Sequence, residues 1–299
     1  FFEDVFYGVR RILYGFFLKV VIADNIAPLV DEGFLVPAEF LGALDVWTLA
    51  FLFGFQIYFD FCAYSHIAIG SARLLGIKFP ENFNYPYAAL NPRDFWKRWH
   101  ISLSSWIRDY LYLPLTGAKI LPRSEGGLGN EVNSNKGGSD KALFASWGIM
   151  GLWHGASWTF LIWGLYHATV IYLYRILSKT VFGKLGDIFC VILTLAVMML
   201  SWIPFRAVTV TETFQLWAHI VNPLRYLVPL GLRENSYVVA LGLLMGFFVS
   251  WAVREKLFSR IYLKYRVVHV LGSTIFYAVL FAFVIIFLRP ISQFIYFQF

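Results

Sequence analysis

Long apolar stretches with at most one charged residue alternate with short polar stretches along the chain, and their lengths predict the elements. Four of them are close to the roughly 20 residues that cross a bilayer as a helix. These stretches are residues 43–59, 188–205, 236–253 and 267–288. The first can continue to Leu75, which places Asp60 and His66 near one end of a span. The pattern predicts an all-α polytopic membrane protein.

The apolar pattern at the start of the chain is interrupted by basic residues. Residues 5–23 contain Arg10, Arg11 and Lys19, which predicts a helix that lies shallow or crosses the membrane only partly. The pattern starts abruptly and without an initiator methionine, so we expect further N-terminal helices to precede it. We expect residues 1–299 to form a single membrane-embedded domain.

The longest uncharged run, residues 142–174, is too long for one upright span. As a continuous helix it would measure about 50 Å, against about 30 Å for a bilayer core. Glycines disfavour helix, so Gly151 and Gly155 predict a bend or re-entrant turn within residues 148–156. No single helical stripe holds all four tryptophans of the run, so we expect them to divide between packing contacts and an interface. They are Trp147, Trp153, Trp158 and Trp163.

His154 lies inside this uncharged run, where a polar group needs a partner or a wet cavity. It either lines a cavity at the predicted break or is a hydrogen-bonded structural histidine between packed helices. His167 follows 13 residues later. That is about 20 Å and roughly 220° along an unbroken helix, so the two cannot share a metal there. No zinc-type motif occurs, and we predict no metal site.

Residues 90–115 carry the signals of one amphipathic helix, from Asn91 as N-cap to Pro114 near the end. One face would hold the aromatic residues, which suits a helix at the membrane boundary. That face contains Phe95, Trp96, Trp99, Leu103, Trp106 and Tyr110. His100 lies at its border. In a second, compatible interpretation, His100, Lys97 and Arg98 face a substrate channel. The following residues, 116–141, are predicted to form a flexible polar loop.

Composition supports a membrane protein and argues against nucleic-acid binding. The chain is 59% hydrophobic and 14% charged, whereas soluble domains carry about 25% charged residues. The net charge of +7 is spread among loops, so we interpret it as membrane-surface and topology charge. Basic residues in the loops 175–186 and 254–266 predict that both are cytoplasmic. The intervening segment 206–235 contains Pro223 and Pro229 and is a candidate to dip back into the membrane.

Three quoted stretches resemble the membrane-bound O-acyltransferase family, and within it the alginate O-acetyltransferase branch. They are "YFDFCAYSHIAIGSARLLGIKFPENFNYPY", "DFWKRWHISLSSWIRDYLYLPL" and "GLWHGASWTFLIWGLYHA", and "YGFFLKVVIADNIAPLV" near the start adds to the resemblance. The family pattern commonly reads "DFSGYSDIAIG" where this chain has "DFCAYSHIAIG", so Asp60 is retained but His66 departs. The role of that position is therefore open.

The resemblance implies many helices around a central tunnel, with interfacial and re-entrant helices. It implies His154, of the WHG motif, as the catalytic residue and His100, of the RWH motif, as a second polar residue beside the tunnel. We predict that both are catalytic, with His154 as the general base. Further candidates for the tunnel wall are Asp60, His66, Lys97, Arg98, Asn91, Trp153 and His167.

The expected reaction transfers an acyl group, acetyl above all, to an exported, alginate-like polysaccharide in the bacterial inner membrane. The expected donor is acyl-CoA (acetyl-CoA), with no bound cofactor. The expected partners are membrane lipid, the polysaccharide acceptor, and a periplasmic acetyltransferase or polysaccharide export proteins. Two alternatives remain: D-alanyl transfer to teichoic acid, and a non-catalytic transporter or export-complex scaffold.

Overall fold

The computed structural model describes residues 2–117, 119–120, 132–133, 139–178, 180, 185–254, 266–289 and 294–295. Within these ranges the regular structure is helical, apart from a two-residue antiparallel ladder between Lys119–Ile120 (β1) and Val132–Asn133 (β2). The predicted all-α fold is therefore confirmed. Most of the predicted polar loop, 116–141, lies outside the described residues.

The helices are numbered in chain order. They are α1 (Phe2–Phe16), α2 (Asp24–Phe34), α3 (Ala43–Leu74), α4 (Pro92–Trp96), α5 (Ile101–Trp106), α6 (Leu113–Leu115), α7 (Asp140–His154), α8 (Trp158–Leu177), α9 (Asp187–Arg206), α10 (Val210–Val221), α11 (Glu234–Val253) and α12 (Arg266–Phe287). Two π-helical segments, Phe17–Ala23 and Ile107–Tyr112, join α1 to α2 and α5 to α6. Short 3₁₀ turns occupy Ala38–Phe40, Pro86–Ala88 and Pro223–Leu227.

Five helical stretches among the described residues are long and apolar enough to cross a membrane. They are Phe2–Phe34, Ala43–Leu74, Trp158–Leu177, Asp187–Arg206 and Glu234–Val253. The predicted spans 188–205 and 236–253 agree with α9 and α11 to within two residues. The predicted span 267–288 agrees with α12 to within one. The predicted extension of 43–59 towards Leu75 is also confirmed, because α3 runs to Leu74.

That residues 5–23 lie shallow or cross only partly stays a prediction, although they belong to a continuous helical stretch of 33 residues that is long and apolar enough to cross a membrane. Lys19, one of the three basic residues that argued against crossing, is paired inside the protein. Lys19 Nζ lies 2.6 Å from Asp60 Oδ1 and 3.0 Å from Asp24 Oδ1. Asp60 therefore sits near the middle of α3 in an ion pair, and not at the end of a span as predicted. A buried charge is tolerated when it is paired in this way.

The chain forms two compact units, and each is described by itself. The first contains residues 1–81 and 215–299, and the second contains residues 82–214. In the first unit, α1 and α2 pack along α3. At the N-terminus of α3, the buried Asp45 carboxylate accepts hydrogen bonds from the backbone N–H groups of Gly42 and Gly231 and from the Tyr237 hydroxyl. These bonds fix α11 and the segment before it against the start of α3.

In the second unit, residues 90–115 are not the single helix that the pattern predicts. The chain breaks at His100, which adopts the left-handed conformation with φ of 40°. Residues 82–84, which precede this region, form hydrogen bonds with backbone groups that a continuous helix would use internally. Asn84 N–H donates to the Arg98 carbonyl, and Ile101 N–H donates to the Asn82 carbonyl. The aromatic face is divided as a result, with Trp99 buried and Trp106 55% exposed.

Candidate active site

The candidate site is built on the break between α7 and α8, which the sequence predicted. α7 ends at His154 itself, and α8 begins at Trp158. Ser157 caps α8, because its Oγ accepts a hydrogen bond from Thr159 N–H. The predicted window of 148–156 overlaps the observed break, which covers residues 155–157. His154 is therefore the last residue of a helix, beside an irregular segment.

Gly151 does not cause the break, contrary to the sequence-based expectation. It lies inside α7, where the helix crosses α8 with direct backbone contact. A Cβ added at Gly151 would lie 2.3 Å from the Phe160 carbonyl oxygen, and one at Gly164 would lie 2.2 Å from the Trp147 carbonyl oxygen. Both distances are far below van der Waals contact. Only glycine allows this close crossing, which brings the side chains of α8 against His154.

Aromatic rings enclose the His154 imidazole, which is only 7% exposed. The ring centroid lies 5.0 Å from Trp163, 5.2 Å from Phe205 and 6.5 Å from Phe160. Trp153 contacts the ring at 5.0 Å but is itself 60% exposed. Of the four tryptophans of the run, Trp147 and Trp163 are buried in packing contacts, and Trp153 and Trp158 are exposed, where an interface stays a prediction. His154 is thus enclosed mainly by aromatic rings.

His167 contacts the same Trp163 ring that His154 contacts. The His167 ring centroid lies 4.8 Å from that of Trp163, 4.9 Å from Trp96 and 5.3 Å from Trp147. Neither ring nitrogen of His167 has a hydrogen-bond partner among the described residues, although the side chain is fully buried. Buried polar atoms without partners cost about 1–3 kcal/mol each. Three tryptophan rings thus pack around a histidine that makes no side-chain hydrogen bond within the described part of the chain.

His100 belongs to the same unit and is within electrostatic reach of His154. Its Nδ1 lies 3.1 Å from Asn82 Oδ1, which also accepts hydrogen bonds from Ser102 N–H and Ser102 Oγ. A main-chain N–H can only donate, so the Asn82 atom is an acceptor and His100 Nδ1 carries a proton. The lone pair of the neutral ring is then on Nε2. Burial lowers the pKa of His100 to about 4, so this neutral form holds at physiological pH.

The polar candidates around His100 have mainly structural contacts. Asn91 caps α4, because its Oδ1 accepts a hydrogen bond from Asp94 N–H at 2.9 Å. Arg98 pairs with Asp94 at 2.9 Å. Lys97 is exposed and lies at the C-terminal end of α4. The contacts of Asn91 and Arg98 stabilise the helix that leads to His100.

Asp60 and His66 lie in the other compact unit, where each has its own surroundings. Asp60 binds Lys19 and also accepts a hydrogen bond from Ile295 N–H at 2.6 Å. His66 makes an edge-to-face contact with Tyr14, with ring centroids 4.8 Å apart. The structure therefore gives Asp60 a clear role in holding two helices and a C-terminal segment together.

Sequence reasoning missed a cavity of about 480 Å³ in the second unit. Three arginines line it: Arg93, Arg108 and Arg175. Its wall also contains Trp96 and Trp147, the two rings that clasp His167. The described lining residues include no acidic side chain. The arginines come from three separate elements, so their convergence has no local signature in the sequence.

The model of the membrane-bound O-acyltransferase family matches residues 2–205. The chain belongs to this family. The matched region contains His100, His154, His167 and, at its last residue, Phe205, whose ring contacts His154. The site described above is thus built within the part of the chain that carries the family pattern.

Curated members of the family include three kinds of relative. A probable alginate O-acetylase of Azotobacter vinelandii is 37% identical over 71% of this chain and 39% of its own length. A peptidoglycan O-acetyltransferase of Helicobacter pylori is 37% identical over 69% of this chain and 37% of its own. A teichoic acid D-alanyltransferase of Bacillus subtilis is 32% identical over 60% of this chain and 43% of its own. The chain spans less than half the length of these relatives.

Proposed function

We propose that this protein is an O-acetyltransferase of the bacterial inner membrane that acetylates hydroxyl groups of an exported polysaccharide. The observation that carries the proposal is a buried histidine, His154, at a helix break within the region that matches the family. The relatives with higher identity are named as O-acetylating enzymes of alginate and peptidoglycan. The acceptor is either the polysaccharide or a hydroxyl of a periplasmic acetyltransferase that passes the group on.

In the proposed mechanism, His154 acts as the general base. It removes the proton from the acceptor hydroxyl while that oxygen attacks the thioester carbonyl carbon. The new C–O bond forms, the C–S bond breaks, and the departing thiolate takes the proton from the imidazolium. The aromatic surroundings exclude water from the reacting atoms, which protects the thioester from hydrolysis. Help of this general-base type is typically worth about 10²–10⁴-fold in rate.

His100 is proposed to orient the acceptor. Its Nδ1 proton is directed to Asn82, so its Nε2 can accept a hydrogen bond but cannot donate one in the neutral form. An oxyanion requires a donor. This tautomer therefore supports a role for His100 in binding the acceptor hydroxyl over a role in stabilising an oxyanion.

The arginine-lined cavity supports a donor that carries phosphate, such as acetyl-CoA. Arginine side chains are well suited to bind phosphate oxygens. Arg175 is oriented by Asp140 at 2.7 Å, and Arg108 by Asp109 at 2.7 Å. The cavity is connected to the surroundings of His154 by a series of ring contacts. Trp96 and Trp147 of the cavity wall contact His167, and His167 contacts Trp163, one of the rings beside His154. No resident cofactor is needed for this reaction.

Two alternative functions make different predictions about the donor. D-alanyl transfer, as named for the Bacillus subtilis relative, would use a carrier-protein thioester. A transporter or export scaffold would consume no thioester.

Release of free thiol by the full-length protein in membranes distinguishes the three functions. We expect thiol release with acetyl-CoA that depends on added polysaccharide or on the periplasmic partner. Release only with a D-alanyl carrier protein would favour the first alternative. Movement of polysaccharide without any thiol release would favour the second.

A further inference from the structure

We infer that Phe160, Trp163 and Phe205 form a wall that limits the transferred acyl group to a short chain. This inference rests on the proposed acyl transfer at His154. According to this inference, three side chains determine which acyl thioester the protein uses as donor. We call these three residues the acyl wall.

The acyl wall is continuous on its side of His154. The Trp163 and Phe205 ring centroids are 5.3 Å apart, and those of Phe160 and Phe205 are 4.9 Å apart. Both pairs are edge-to-face contacts of tightly packed rings. All three rings also contact the His154 imidazole. The space beside the imidazole on this side is therefore bounded by ring carbons.

The acyl wall is also held from behind, so a longer chain cannot simply displace it. The Phe160 ring packs on Gly155, where an added Cβ would lie 2.5 Å from Phe160 Cε2. Phe205 packs against Trp202 at 5.7 Å, and Trp202 is itself fully buried. Moving either ring would disturb the close crossing of α7 and α8 or the buried face of α9. Cores of this density resist extra volume.

The chemistry brings the acyl group against this wall. The thioester carbonyl carbon must come within about 3–3.5 Å of an acceptor oxygen that is itself hydrogen-bonded to His154. The imidazole is enclosed by aromatic rings and only 7% exposed, so the substituent on the carbonyl carbon lies close to the acyl wall. A methyl group is the smallest such acyl substituent, and each further methylene competes with a ring.

A series of acyl thioesters tests the inference on the unmodified full-length protein. Free-thiol release is measured with acetyl-, propionyl-, butyryl- and hexanoyl-CoA, together with acyl transfer to the acceptor. An extra methylene at a shaped apolar pocket changes the rate by about 10–200-fold. We therefore expect at least a tenfold fall from acetyl to propionyl and no measurable hexanoyl transfer. Equal rates with acetyl and hexanoyl thioesters would overturn the inference and leave the proposed acyl transfer intact.

Two substitutions in the acyl wall provide the complementary test. Phe205→Ala and, as the milder change, Phe160→Leu should raise the ratio of butyryl to acetyl transfer about tenfold or more. Trp158→Ala is the matched control, since Trp158 lies on α8 but is 73% exposed, and its ratio should equal that of the wild type. Folded variants that keep the wild-type ratio would also overturn the inference. If the wild type releases thiol from no thioester, the proposed function fails instead.

Discussion

At the scale of single residues, the two histidines of the family motifs are prepared in different ways. His154 ends a helix and is surrounded by aromatic rings. His100 is held in a left-handed backbone conformation, and its ring orientation is set by Asn82. A neutral histidine whose Nδ1 proton is anchored presents Nε2 as its basic atom. In the proposed mechanism, the pair therefore offers one enclosed base, His154, and one oriented hydrogen-bond acceptor, His100 Nε2.

The buried neutral state of His100 predicts a pH-dependent stability. Its pKa is 6.5 when unfolded and is lowered to about 4 by burial in the folded protein. Between these values only the unfolded chain takes up the proton, so the folded state loses stability as the pH falls. The loss is at most about 1.4 kcal/mol per pH unit, or about 3 kcal/mol in total, and it is absent above pH 6.5.

The His100→Asn variant isolates this contribution, because asparagine tolerates the left-handed conformation and does not titrate. Thermal unfolding in detergent is compared for both proteins from about pH 7.5 to about pH 4.5. The wild type should lose stability relative to the variant as the solution is acidified. Parallel curves would show that His100 is not buried in its neutral form.

Some residues of the candidate site can be recognised in the sequence, and others only in the folded chain. His154 could be selected from the sequence because a lone polar group in an uncharged run is conspicuous. Asn82 could not, because it is 18 positions from His100 and its hydrogen bond exists only in the folded chain. The same holds for Arg93 and Arg175, which meet at one cavity from distant elements.

At the scale of elements, the hairpin of α7 and α8 decides the geometry of the site. Gly151 and Gly164 let the two backbones touch, and this contact positions Trp163 and Phe160 beside His154. The length of the uncharged run was enough to predict a break. A sequence does not distinguish a glycine that breaks a helix from one that allows two helices to cross closely, so the prediction that Gly151 breaks the helix is wrong.

Substitutions at two glycines of α7 test this crossing. Gly151→Ala should destabilise the protein by about 1–3 kcal/mol, because the new methyl group would overlap the Phe160 carbonyl oxygen. Gly148→Ala is the matched control, since its added Cβ would meet Leu161 at 3.5 Å and Leu165 at 3.9 Å, both ordinary contacts. It should be neutral or stabilise the helix by up to about 1 kcal/mol. Unfolding midpoints in detergent measure both, and equal effects would contradict the crossing.

Residues 90–115 show why a good helical pattern can fail. The N-cap at Asn91 and the start at Pro92 are as predicted. However, residues 82–84 bind the Arg98 carbonyl and the Ile101 N–H group, which interrupts the helix at His100. Local amphipathicity carries no information about this competition from another segment. The break is what turns His100 out of the helical pattern.

At the scale of the whole molecule, the chain divides into two units with different roles. The first unit contains long spans joined by buried polar contacts, such as the ion pair of Lys19 with Asp60. Breaking such a pair by removing one partner typically costs about 3–5 kcal/mol, which gives Asp60 a structural importance independent of catalysis. The second unit contains His100, His154 and His167 with their aromatic surroundings. The proposed chemistry is thus concentrated in residues 82–214.

The most direct measurement of the central proposal is thioester turnover per folded molecule in the His154→Ala variant. The full-length protein is purified in detergent, and thiol release from acetyl-CoA in the presence of acceptor is normalised to the folded fraction. We predict a loss of about 10²–10⁴-fold with little change in folded yield. A His219→Gln variant, which changes a histidine of the other unit, should keep the wild-type rate. Turnover by folded His154→Ala protein at the wild-type rate would contradict the role of His154 as the base.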